Sequence, residues 1–190
     1  MKLILRPVKV VILSVLAYLF DACVMPNLVV GGVTASISFA VIAILTVSYG
    51  KKAAFVSGAI IGMLMETMLA GVHALYLLYY PIAAVIFAQP FADMSDRKRE
   101  SRLTADPNKR HVRRQDDLPA FLRIILCTAC LSLLFSIVNI LYCRLAGFGY
   151  ELTNIWRAML ACILSCAAAI LLMVPLRAFL GIYKSKRESM

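Results

Sequence analysis

Charge is scarce in this chain: Asp, Glu, Lys and Arg make up 16% of its 190 residues, against the quarter or so usual in soluble domains. A water-facing globular surface cannot be assembled from so little of it. Histidine is scarcer still, and with His73 and His111 alone the usual histidine-and-acid metal sites and nucleophile–base pairs cannot be assembled. No phosphate-cradling glycine loop is present either. These gaps remove triad-type acyl transfer, metal-assisted hydrolysis and nucleotide hydrolysis, and predict a non-catalytic chain without cofactor or metal.

Apolar residues fill the space that charge leaves, at 62% of the sequence. They fall into runs long enough to cross a bilayer, separated by short polar breaks, and the predicted fold class is an all-α integral membrane protein of six transmembrane helices. The expected spans are about 8–25, 28–49, 53–71, 73–88, 118–142 and 154–180. Pro26 breaks the chain after the first, because it removes a donor and biases Met25 away from helix. Lys51 and Lys52 mark the turn after the second. Pro81 should kink the fourth. A single compact membrane domain covering residues 1–190 is the natural product, with no room for another.

Lysine and arginine collect on the cytoplasmic side of membrane proteins. With Arg123 and Arg177 at the inner ends of their helices, Arg144 and Arg157 are the two of 20 basic residues left outside. This distribution predicts an uncleaved first helix and cytoplasmic N- and C-termini. Residues 89–117 form the one long hydrophilic stretch, with Arg97, Lys98, Arg99, Arg102, Lys109, Arg110, Arg113 and Arg114 interleaved with acids. Such a run cannot build a core and reads as a basic cytoplasmic loop. The net charge of +10 follows in large part from this topology, with anionic head groups as a further partner. Nucleic acid is excluded, since the loop offers neither a folded platform of aromatics nor a helix to enter a groove.

The third span carries Gly58, Gly62 and Glu66 four residues apart, within one narrow helical face. Glycines at this spacing let a second backbone approach closely, either inside the bundle or on a partner's helix. An acid at bilayer depth requires protein or water beside it. Asp21 and Glu66 each lie thirteen residues along an outward span when Val8 and Ala53 are taken as its start, or roughly 20 Å into a core of about 30 Å. Arg157 opens the sixth span from the outer side and His73 lies on the same rim. The expectation is an intramembrane polar cluster of Asp21, Glu66, His73 and Arg157, with Asp21, Glu66 and Arg157 latching helices one, three and six. A proton or cation path would need acids at successive depths, and these occupy one tier.

Six cysteines are present. Cys127 and Cys130, with Cys162 and Cys166, sit in apolar spans without the polar setting that activates a thiolate and read as small packing residues. Cys23 and Cys143 lie nearer the outer face, where pairing is open.

In order and spacing, Pro26 and Leu28 after the first helix, then Gly58, Gly62, Glu66, and then Gly71, His73, Ala74, Leu75 resemble the bacterial rod shape-determining MreD family. There a G-x-x-x-G-x-x-x-[DE] helix is followed by G-x-H-A-L. The likeness covers residues 26–88 by motif and the remainder by size and topology. It implies a multi-pass inner-membrane scaffold of the cell-elongation machinery, regulating lateral peptidoglycan synthesis beside an MreC-type protein, a peptidoglycan transpeptidase, its glycosyltransferase and MreB filaments. It also implies a fold similar to the substrate-binding subunits of energy-coupling vitamin transporters. Two departures stand out: Glu66 where many relatives have Asp, and a longer, more basic loop. The rival function is that of a vitamin-binding transporter subunit, which would show an outward-facing pocket and a small-residue patch on helix one; Ala17 and Ala22 are there without an A-x-x-x-A.

Overall fold

The computed structural model describes residues 2–68, 75–91, 119–145 and 153–180. Its helices are α1 (Lys2–Cys23), α2 (Ile37–Tyr49), α3 (Lys51–Met68), α4 (Leu75–Phe91), α5 (Ala120–Leu145) and α6 (Thr153–Leu180), with one 3-10 turn at Met25–Asn27. Of the residues singled out above, Gly71, His73, His111, the basic series from Arg97 to Arg114 and the Cys143 side chain lie outside the described part.

The bundle is built around α2. Its sequence, ISFAVIAILTVSY, is apolar all round, and a helix of that kind has no face to give to water. Every residue from Ile37 to Val47 is buried, and α2 packs against α1, α3, α4, α5 and α6. Gly50 ends it with φ +79°, its N–H donating to the Thr46 carbonyl at 3.0 Å. The positive φ favours glycine and turns the chain at once into α3.

The expected second span, 28–49, is corrected by the structure. Helix begins only at Ile37; Val30 and Val33 instead exchange two backbone hydrogen bonds, at 2.9 and 3.1 Å, around Gly31 and Gly32. With φ of +61° and +77°, the two glycines make the tight two-residue turn that right-twisted strands prefer. Gly31 faces Leu160, whose Cδ2 lies 2.8 Å from where a Cβ would stand, so the hairpin tip rests on α6. The remaining helix has 13 residues and extends about 20 Å, short of a bilayer core of about 30 Å.

The α3–α4 pair is the closest in the bundle because of the glycines. A Cβ on Gly58 would stand 2.7 Å from the Tyr80 carbonyl oxygen and 2.9 Å from the Pro81 Cα, and one on Gly62 would stand 2.7 Å from the Tyr76 carbonyl oxygen. Backbone therefore meets backbone. Behind this contact Phe39, Tyr76, Tyr79, Tyr80 and Phe135 form one aromatic cluster with ring centroids 5.2–6.3 Å apart. The Tyr79 hydroxyl donates to the Leu131 carbonyl at 2.7 Å, which ties α4 to α5.

Three stretches are long and apolar enough to cross a membrane, Pro7–Asn27, Ala120–Tyr142 and Ile155–Leu176, while α2 and α4 are apolar but shorter. Large apolar side chains on α1, α5 and α6 face outward, among them Leu16, Phe20, Ile137, Leu141, Leu171 and Val174. Exposed on a soluble protein they would cause aggregation; on a bundle of such helices they are the lipid-facing surface. The chain is an all-helical, multi-spanning membrane protein.

Candidate functional site

A helix that starts inside a membrane protein has up to four N–H groups with no intrahelical partner and little water to take them. At the start of α2 the partner is Asp21, one turn from the end of α1. One carboxylate oxygen accepts from the Ile37 N–H at 2.7 Å; the other accepts from the Ser38 N–H at 2.9 Å and the Ser36 hydroxyl at 3.1 Å. The Ser36 N–H in turn donates to the Ser165 hydroxyl oxygen on α6, at 3.1 Å. Negative charge at the positive end of the helix dipole adds to these bonds.

Glu66 does the same for α4. Its Oε2 accepts from the Tyr76 N–H at 3.1 Å and the Leu77 N–H at 3.4 Å. Of the latch expected among Asp21, Glu66 and Arg157, the described contacts set the two carboxylates at the starts of two different helices. Arg157 is exposed and shares only a cavity wall with Asp21.

That cavity, of about 590 Å³, opens among α1, α3, α4, α5, α6 and the segment before α2. Gly32 to Ser36 of the hairpin and its exit form one side, and Phe39, Tyr80 and Phe135 supply an aromatic wall. Along α5 the lining residues Ser132, Ser136 and Asn139 recur at helical spacing and lead to Arg144; α6 contributes Arg157, Ala161 and Ser165. Polar side chains on one stripe of an otherwise apolar helix face protein or a cavity in preference to lipid. Sequence reasoning passed over this stripe, although its spacing of four and three residues was the available signal.

Gly58 and Gly62 are buried against α4. Cys23 is exposed and free. Cys162 and Cys166 point across the α5–α6 contact toward the carbonyls of Ala129 and Ile125, at 3.8 and 3.9 Å. Cys127 is fully buried and free. These thiols pack as small side chains. Among the described residues no group of three or more His, Cys, Asp or Glu is placed to hold a metal ion, and no nucleophile is paired with a base.

No protein-family model, curated protein or solved structure matches the chain.

Proposed function

We propose that this chain is a non-catalytic subunit of the bacterial cell-elongation machinery, held in the inner membrane by six spans with both termini in the cytoplasm. It would act by packing its helices against an MreC-type protein, a peptidoglycan transpeptidase and the transpeptidase's glycosyltransferase. The observation that carries this reading is the ordered motif of Gly58, Gly62 and Glu66, followed in the sequence by Gly71, His73, Ala74 and Leu75. In the fold these residues have one joint task, a backbone-to-backbone helix pair whose second member starts beneath the carboxylate. A family would keep such a motif to preserve the fold.

Because α4 covers the glycine face, a partner helix must dock elsewhere. The α6 span Ile155–Leu176 is the one of the three that is most exposed, with Ser165 and Ala169 its buried residues. Leu171 and Val174, each 75% exposed, offer the outermost face. Binding there of a partner in one of its conformations would shift that partner's activity by differential affinity.

A photo-crosslinking amino acid at Leu171 or Val174, in cells expressing the chain at native level, tests this. Adducts with wall-synthesis membrane proteins support the scaffold, and adducts with lipid alone at both positions refute the docking face. The rival reading, a substrate-binding subunit of an energy-coupling vitamin transporter, is favoured by one feature, the cavity beneath the hairpin. Co-purification with paired ATPases in place of wall-synthesis proteins would decide for it.

A further inference from the structure

The cavity is polarised along its length. Ser132 and Arg144 on its α5 wall are twelve residues apart, about 18 Å along a helix. At the Ser132 end the wall is aromatic and small, with Phe39 and Tyr80 buried and Ser132 and Ser165 almost wholly so. At the other end stands Arg144, in the last turn of α5, while Arg157, in the second turn of α6, lines the cavity between the two ends, since the contacts of Cys162 with Ala129 and of Cys166 with Ile125 set it across from about Leu134. Among the described residues neither has an ion-pair partner. One carboxylate also lies on the wall, that of Asp21, and its oxygens already accept from Ser36, Ile37 and Ser38.

We infer that this cavity binds an elongated amphiphilic anion, with a phosphate or carboxylate between Arg144 and Arg157 and an apolar body lying against Phe39, Tyr80 and Phe135. Guanidinium groups match such oxyanions with paired hydrogen bonds. Volume fits as well, since about 590 Å³ lies within the range of small-molecule sites. The hairpin of Val30–Val33 and the residues up to Ser36 make the side through which the ligand is covered, anchored by Gly31 on Leu160 and by Ser36 on Ser165. This goes beyond the scaffold reading, which gives the cavity no occupant, and it does not require that reading.

The same chemistry is carried by a lipid head group and by a free organic anion, and two probes separate them. Purified full-length protein in neutral detergent is titrated with dioleoylphosphatidylglycerol, with the zwitterionic phosphatidylcholine as control, and separately with phenyl phosphate, by microscale thermophoresis. Saturable binding of the lipid alone assigns a head group, and of phenyl phosphate a free anion; either supports the site. Arg144→Gln and Arg157→Gln should each weaken binding by about tenfold, the scale of a hydrogen bond to a charged group, and Arg157→Lys should recover part of the loss. Both arginines are exposed at helix ends, so their replacement leaves the bundle intact. Ala161→Phe, with Ala158→Phe as a second variant of the same wall, fills the cavity without touching charge and should abolish binding. No saturation with either probe, wild-type affinity in the double arginine variant, or undiminished binding by the folded phenylalanine variants would overturn the assignment. Failure to recover wall-synthesis partners would leave all of these outcomes in force.

Discussion

Replacing Asp21 tests how α2 is held. Asp21→Ala removes the acceptor for the N–H groups of Ile37 and Ser38, bonded at 2.7 and 2.9 Å, and for the Ser36 hydroxyl at 3.1 Å. The loss of a helix cap typically costs about 0.5–2 kcal/mol, and each buried donor left unpaired costs about 1–3 kcal/mol. Two orphaned N–H groups would set the range at about 2–6 kcal/mol. Because Asp21 also lines the cavity, water can reach part of the vacated space and offset some of this, so the lower half of the range is expected. Asp21→Asn keeps one acceptor oxygen and loses the charge at the helix start, which predicts a smaller loss of about 1–2 kcal/mol.

The readout is supplied by the chain itself. Cys127 is fully buried and becomes accessible to a thiol-reactive fluorophore when the bundle opens, so thermal and denaturant unfolding in detergent can be followed by labelling after the exposed Cys23 is changed to Ser. The expected order of stability is wild type, then Asn, then Ala. An Ala variant that unfolds with the wild type would show that α2 does not depend on this carboxylate. Equal losses for Asn and Ala would assign the effect to charge alone and remove the hydrogen-bond reasoning.

Glu66 accepts from the Tyr76 and Leu77 N–H groups through Oε2, so Glu66→Gln, which keeps an acceptor, should lose less than Glu66→Ala, for which about 1–3 kcal/mol is expected in the same unfolding assay; equal losses would contradict the cap. Gly58→Ala should destabilise by about 1–3 kcal/mol, because the added carbon meets the backbone of Tyr80 and Pro81 at 2.7–2.9 Å; Gly58→Leu should prevent recovery of folded protein by size-exclusion chromatography, and its recovery in monodisperse form would refute the close approach. At the hairpin, Gly31→Ala and Gly32→Ala should each cost about 1–2 kcal/mol for the left-handed backbone. Gly31 should cost more, since Leu160 must also move away from a 2.8 Å contact while Gly32 faces open space; the reverse order in melting temperature would count against the seating of the hairpin on α6.

Much of the architecture is legible in local composition. Apolar runs, the Lys51 and Lys52 break and the even apolarity of ISFAVIAILTVSY announce helices and, for α2, burial on every side. The start of α2 is harder, since Leu28 to Ala35 is apolar enough to read as more of the same span. What stops the helix is the Gly31–Gly32 turn flanked by β-branched valines, a hairpin signal that a hydropathy reading discounts. What begins it again is Asp21, sixteen residues before Ile37 and on another helix. A contact of that separation leaves no periodicity to detect. The cavity has the same difficulty: Ser132, Ser136 and Asn139 are visible as a stripe, but the partners that turn the stripe into a wall come from α1, α4 and α6.

Asp21 and Glu66 occupy corresponding places in a repeated arrangement. Twice in succession a helix carries an acid near its end, and N–H groups at the start of the next helix donate to that acid: α1 then α2, and α3 then α4. At 13 residues α2 is the shortest of the described helices, and its start is buried, so its first N–H groups require a partner; α4 is capped in the same way. The third pair breaks the pattern. At 28 residues, α6 is long enough, about 42 Å, to start beyond a core of about 30 Å, and water can satisfy its first N–H groups without an acid on α5. The face of α5 released from that task carries serines, an asparagine and an arginine onto the cavity instead. The carboxylates therefore stand where the N–H groups of the next helix need them, and the α5 face without an acid lines the cavity.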